Sequence, residues 1–236
     1  MNGFKVARTQ LIFVKNFTMK VKNTVALLLS LFVVTQLSFA QFEGSKQVFS
    51  SPKLQSEIQK HKKVAILPFS ATISYKKLPK NFDKTANEQD ENNLALSLQQ
   101  GMYTYLLRKS DDYTVGFQDI ERTNALLKQK GIYEKINELT QDSICKALGV
   151  DAVVKCAFSY ERTSSEGGAI AKTVLLGSAF GKTASGSLTL QIYNGTDGEL
   201  LWRFYKEMNE DVTSSANQVM ERMMRKVARN FPYEKS

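Results

Sequence analysis

Hydrophobic and polar positions alternate along this chain in two distinct rhythms. From Lys63 the run Val64-Ala65-Ile66-Leu67 is continuously apolar and closes on Pro68 and Phe69. Such a run predicts a short strand buried on both faces, ended by the proline. Residues 74–90, rich in Lys, Asn and Asp, read as a loop. Asp90 or Asn92 then stands in position to cap a helix in which Leu94, Leu98, Met102, Tyr105 and Leu106 recur at three- and four-residue steps. Tyr113–Phe117 predicts a second short strand. Asp119 caps a second helix, carrying Ile120, Leu126 and Leu127, that stops near Gly131. A third, short helix starts at Thr140 or Asp142 and ends at Leu148-Gly149.

The rhythm then changes to period two. Asp151–Tyr160 places Val154, Cys156 and Phe158 on one face and Val153, Lys155 and Ala157 on the other. Leu188, Leu190 and Ile192 alternate with Thr189, Gln191 and Tyr193. Asn194-Gly195-Thr196-Asp197-Gly198 makes a turn, and Leu200, Trp202 and Phe204 alternate on the return strand. The chain closes on an amphipathic helix with Ala216, Met220, Met223, Val227 and Phe231 on one face. The order predicts an α/β, mixed α+β fold, with a central mixed sheet of about five strands and helices packed on it. Residues 62–236 are expected as a single domain, and the polar stretch 41–61 as a mobile arm or a short helix.

The first forty residues follow neither rhythm. Met19-Lys20-Val21-Lys22 is basic, Val25–Val34 is apolar apart from Ser30, and Ser38-Phe39-Ala40 puts small residues before Gln41. This is the layout of a cleavable secretory signal peptide within residues 1–40, with Met19 as the simpler start. The apolar run is shorter than the ~20 residues a membrane-spanning helix needs. Ala40-Gln41 offers no cysteine for lipid attachment, so an exported protein that is not a lipoprotein is expected, in the periplasm or associated with the outer membrane.

Export changes how the charge reads. The whole chain carries 32 cations and 23 anions. Residues 1–40 hold five of the cations and no anion, which leaves 27 against 23, near +4. The high pI therefore overstates the case for nucleic acid binding, and none is expected. Cys145 and Cys156 can pair in an oxidising compartment or sit as two small buried side chains, and the spacing leaves both open.

Candidate chemistry is sparse. His61 is the sole histidine, set in a basic run before the first strand, and is expected as a solvated surface residue. One histidine and two cysteines make no zinc-site spacing, and there is no Gly-x-Ser-x-Gly elbow. Gly177–Thr183 has three residues between its glycines where a phosphate-binding loop needs four. No catalytic residue, metal or cofactor is expected. Asp197 and Glu199 belong to the hairpin turn, and Trp202 reads as core. Two stretches remain as contact candidates. Ile170, Val174, Leu176 and Phe180, set among small residues in 167–184, form either a loop over the sheet or a segment that meets a partner or a membrane. Arg222, Arg225 and Arg229, with Lys226, line the polar side of the last helix and suit an acidic partner or anionic headgroups, a peripheral membrane contact.

Four pieces in sequence give the chain a resemblance. Lys63–Phe69, Arg122–Gly131, Ala147–Val154, and Leu188–Tyr193 with Thr196–Trp202 resemble, in order, elements of a bacterial envelope superfamily. That superfamily holds the curli secretion channel (CsgG-like) and penicillin-binding-protein activator (LpoB-like) proteins. The resemblance implies a non-enzymatic envelope domain that works by protein–protein contact with an envelope partner or by assembly into a homo-oligomer. It implies as the alternative an outer-membrane secretion or pore component that oligomerises through 167–184.

Overall fold

The computed structural model describes residues 46–162, 184–208 and 216–235. The buried run of the first predicted strand is β2, Lys63–Ile66, and its apolar side chains are packed on both sides: Val64 and Ile66 toward one cluster, Ala65 and Leu67 toward another. Around it the chain builds β1 (Lys46–Ser50), α1 (Leu54–Ile58), β3 (Ser70–Tyr75), α2 (Lys84–Arg108), β4 (Gly116–Phe117), α3 (Ile120–Gln129) and α4 (Gln141–Leu148). The long β5 (Ala152–Arg162), β6 (Ala184–Asn194), β7 (Leu200–Met208) and α5 (Ala216–Ala228) complete it.

The fold is the expected mixed α+β type, with seven strands among the described residues rather than about five. Their order is β1-β7-β6-β5-β2-β4, with β3 also on β5. β2 runs parallel to β4 and β5, β3 runs parallel to β5, and the other pairs are antiparallel. Gly44–Ser236 hold together as one unit that takes in part of the expected arm. In place of a free arm, β1 joins the edge of the sheet and α1 buries Leu54 and Ile58.

Two of these elements differ from the sequence reading for identifiable reasons. Ile66 faces Val154 and Ser70 faces Ala157, so three residues, Leu67-Pro68-Phe69, oppose two, Lys155-Cys156. Pro68 has no N–H to give to the ladder and breaks the strand there. The last rung before the break is Leu67 N–H to Val154 O, 3.0 Å. The strand then resumes on the same neighbour as β3, where a loop was expected from residue 74. α2 begins at Lys84, capped by Asp83 Oδ1 on the amides of Thr85 and Ala86, rather than at Asp90 or Asn92. Its first turns are solvated and polar, so they carry no apolar periodicity.

Side-chain alternation sorts the sheet into two faces. On the first, α2 and α5 cover Val154, Cys156, Phe158, Leu188, Leu190, Ile192, Trp202 and Phe204. An extra residue in β7 shifts the register between Ile192 and Tyr193, so Leu201 enters this core and Leu200 stays half-buried, contrary to the expected Leu200-Trp202-Phe204 alternation. Trp202 is 1% exposed and meets Phe204 and Phe231, a core residue as expected. On the second face, α3 and α4 cover Ala65, Leu67 and Val153, with Leu127, Ile144, Cys145 and Leu148, and Tyr193 of β6 packs against this cluster partly buried. Asp119 caps α3 through Arg122 N, 2.9 Å, and Gly149, with φ 66°, ends α4 in the left-handed region.

Candidate interaction face and cleft

Among the described residues, helices lie over only one end of the second face of the sheet. Beyond Val153 the registers lay out a grid. Lys155, Gln191 and Arg203 stand side by side in one row; Ser70, Ala157, Thr189 and Tyr205 follow in the next. Thr72, Ser159, Ser187 and Glu207 come third, and Ser74 with Glu161 fourth. All of these side chains are exposed or half-buried. The alternation that makes β5, β6 and β7 apolar toward α2 and α5 makes them small and polar here, as on any antiparallel sheet with one solvated side. Tyr205 Oη donates to Glu207 Oε1 at 2.9 Å, and the Arg203 guanidinium lies 6.0 Å from the Tyr205 ring centroid. Phe49, opposite Arg203 on β1, continues the first row and is 49% exposed.

The strand break opens a cleft of ≈ 380 Å³ beside this face. Pro68 and Phe69 form its base, Leu96 and Asn92 of α2 one wall, and Tyr133 and Ile136 of the α3–α4 connection the other. Lys155 and Ser70 belong to both the cleft and the grid, so the two surfaces are continuous. Leu96 is 43% exposed at the cleft. The cleft end of β2 is held by a reciprocal amide pair. Gln99 donates to Asn124 Oδ1 (3.2 Å) and to Ile66 O (3.0 Å), and Asn124 returns a bond to Gln99 Oε1 (3.0 Å). Its chemistry is mixed: an apolar lining, one ammonium, and the carboxylates of Glu91 and Glu134. Glu91 Oε1 is already engaged by Ile73 N–H (2.8 Å) and Asn87 Nδ2 (3.1 Å).

His61 is not the solvated residue expected from its basic neighbours; it is 6% exposed. Its Nδ1 lies 2.7 Å from Tyr233 Oη and its Nε2 3.1 Å from Asn194 Oδ1. Asn194 directs its Nδ2 toward Glu57 Oε2, 3.4 Å, which leaves its Oδ1 as the acceptor. The proton of the neutral ring therefore sits on Nε2, and Tyr233 donates to Nδ1. Burial pushes the Tyr233 phenol far above its ordinary pKa, with the nearby Cys145 and Asp151 adding to it, so it remains a donor. Both ring nitrogens are occupied inside the fold, and the imidazole has no free nitrogen to offer a substrate. The missed signal was the aromatic C-terminal segment, since Tyr233 meets His61 only in the folded chain.

Among the described residues no group of His, Cys, Asp and Glu side chains could hold a metal ion. Cys145 and Cys156 are both free and buried. Cys145 belongs to the cluster under α3 and α4, and Cys156 lies on the opposite face of the sheet, 3.8 Å from Met102 Sδ. The pairing left open by their spacing is therefore not made, because the sheet itself lies between the two thiols. Burial first, then the charges of Asp142 and Asp151, pushes the Cys145 thiol up to about 12. Burial alone pushes Cys156 up as well.

Of the contact candidates, Ile170, Val174, Leu176 and Phe180 lie outside the described residues, as do Gly177–Thr183 and the signal-peptide segment. Arg222 is half-buried on α5, while Arg225 and Arg229 are exposed. Glu221 lies 3.9 Å from Arg225 and 3.4 Å from Arg108, and offsets part of the basic face. No described helix is long and apolar enough to cross a membrane.

Fold and site together give a mixed sheet whose second face the described helices cover at one end, with a cleft beside it. No family model and no curated protein matches the chain. Solved structures similar to it include lipoprotein GNA1162 from Neisseria meningitidis, at 12% identity and a TM-score of 0.40, covering 72% of this chain and 96% of that one. A PelC dodecamer from Paraburkholderia phytofirmans shares 12% identity at a TM-score of 0.34, over 82% and 99% of the two chains. The LpoB C-terminal domain from Salmonella enterica shares 12% at 0.32, over 67% and 94%. At these identities and TM-scores the likenesses assign neither a family nor a function to the chain.

Proposed function

We propose that this chain is a non-enzymatic, exported cell-envelope protein that works by protein–protein contact through the half of its sheet that no described helix covers and the cleft beside it. The observation that carries the reading is the continuity of the two surfaces. A largely polar grid of side chains leads at Lys155 and Ser70 into a cleft lined by Leu96, Tyr133 and Ile136. A flat polar area beside an apolar pocket is the layout of a contact surface with an anchor site, in which the buried anchor supplies most of the binding energy. The occupied ring nitrogens of His61 fit a structural role for the one histidine.

In-cell photo-crosslinking tests this. A photoreactive residue at Ser159 or Leu96 is expected to give a discrete crosslinked product, and one at Glu121 on α3 is expected to give none. Equal products from all three positions, or none from any, would overturn the contact reading. Recovery of the protein in the cytosolic fraction would overturn the envelope location.

A further inference from the structure

Among the described residues, Asn194 is the one asparagine followed by glycine. In an unfolded chain such a pair is labile, because glycine leaves the next backbone nitrogen unhindered and its torsions free. The fold nevertheless needs both residues where they are. A Cβ at Gly195 would lie 2.5 Å from Asp151 O, and Asn194 Oδ1 is the acceptor 3.1 Å from His61 Nε2. Packing and hydrogen bonding thus build a reactive pair into the β6–β7 turn, and the same contacts decide whether it reacts.

Reaction requires the Gly195 nitrogen to reach Asn194 Cγ. The peptide group between the two residues is planar, so turning Asn194 about ψ swings its carbonyl and the Gly195 N–H together. Both ends of that group are held. The carbonyl accepts from Gly198 N–H at 3.0 Å, and the Gly195 N–H donates to Asp151 O at 2.8 Å. The Asn194 N–H donates to Glu199 O at 2.9 Å. The side chain is 1% exposed, with Oδ1 on His61 and Nδ2 directed to Glu57 Oε2 at 3.4 Å. Tyr233 Oη fixes the far side of the imidazole at 2.7 Å, so the C-terminal segment closes the cage.

We propose that Asn194 is a self-modification site gated by the fold, silent while the Tyr233–His61–Asn194 chain is closed and deamidated in molecules where it has opened. In the open state the Gly195 nitrogen gives its proton to hydroxide and attacks Asn194 Cγ. A C–N bond forms and closes a cyclic imide. The Cγ–Nδ2 bond breaks, and the nitrogen leaves as ammonia with a proton taken from water. Water then adds to one of the two imide carbonyls and opens the ring to aspartate or isoaspartate. Neither product fits the closed site. Aspartate sets a carboxylate oxygen where the Nδ2 donor faced Glu57. Isoaspartate adds a carbon to the main chain where Gly195 is already seated against Asp151. Opening therefore becomes one-way, and the chain carries its own limit on the lifetime of opened molecules.

Peptide-mapping mass spectrometry tests this on the exported chain in warm, mildly alkaline buffer, folded and unfolded in urea, with circular dichroism to confirm folding. A closed state that opens in about one molecule in a hundred makes deamidation at Asn194 about 100-fold slower in the folded chain than in urea. His61→Ala removes the clamp and is expected to speed the folded-state reaction by about tenfold or more. Tyr233→Phe keeps the ring and loses only the donor to Nδ1, so its rate is expected to lie between the two and to report on the clamp even if His61→Ala does not fold. A folded wild-type rate within a few-fold of the urea rate overturns the gating, as does the absence of any acceleration in the folded variants. The deamidated fraction, separated from aged wild-type protein, is expected to unfold at lower urea than the unmodified fraction. Equal midpoints for the two fractions would overturn the one-way step.

Discussion

His61 shows how a single polar side chain can be absorbed into a core. Buried between Tyr233 and Asn194, it joins the C-terminal segment to the end of β6, and each of its nitrogens has one partner. Truncation leaves the Tyr233 hydroxyl and the Asn194 amide without that partner inside the fold. An unsatisfied buried group costs about 1–3 kcal/mol, so His61→Ala is expected to lower stability by about 2–4 kcal/mol in urea denaturation. A loss below about 0.5 kcal/mol would show that the network contributes little. The sequence placed His61 among Lys60, Lys62 and Lys63 and suggested solvent. Lys62 and Lys63 are exposed while His61 is buried, because the turn that follows α1 brings that one side chain to Tyr233 and Asn194 before β2 begins.

At the scale of elements, Asp151 joins three pieces of the fold. Its Oδ2 accepts from the amides of Lys62 (2.8 Å) and Lys63 (2.9 Å) at the start of β2. Its carbonyl accepts from Gly195 N–H (2.8 Å) in the β6–β7 turn. A Cβ at Gly195 would lie 2.5 Å from that carbonyl, so the turn needs glycine there for close approach. Partial burial opposes the Asp151 charge, but the two amides and the cations around it outweigh burial and hold its pKa below the ordinary value. A depressed folded-state pKa stabilises the fold fully above the unfolded value of about 3.9 and loses that contribution as pH falls through the lower folded value. Asp151→Asn is therefore expected to cost about 1 kcal/mol or less at neutral pH, since the site is partly solvated. The gap to wild type should close below about pH 4, which parallel denaturation curves at neutral and acid pH would reveal. A gap that is constant with pH would show that the carboxylate charge is not what the amides hold. β3 belongs to the same scale. The sequence suggested no strand at Ser70–Tyr75, because Pro68 looked like the end of the strand and 74–90 read as a loop, and only the register on β5 shows the chain returning to the same neighbour.

At the scale of the molecule, the sheet works as a partition. It keeps Cys145 and Cys156 apart and makes each inert by burial. Native protein is expected to show no reactive thiol toward Ellman's reagent at neutral pH, and two after denaturation without reductant. Fewer than two would reveal a bond that this fold does not contain. The same partition explains which features were legible in advance. Period two in β5, β6 and β7 and period 3.6 in α2 and α5 are local consequences of backbone geometry, so the strands, the hairpin, the Asp119 cap and the apolar faces could be read directly. The sequence by itself thus determined a mixed sheet, its core side and the absence of a familiar catalytic motif. Tertiary structure alone decided that β1 closes one edge, that His61 is enclosed, that the cysteines are separated, and that half of one face has no described helix over it. Each of these depends on which distant segments meet, and side-chain periodicity states that a face exists without stating what covers it.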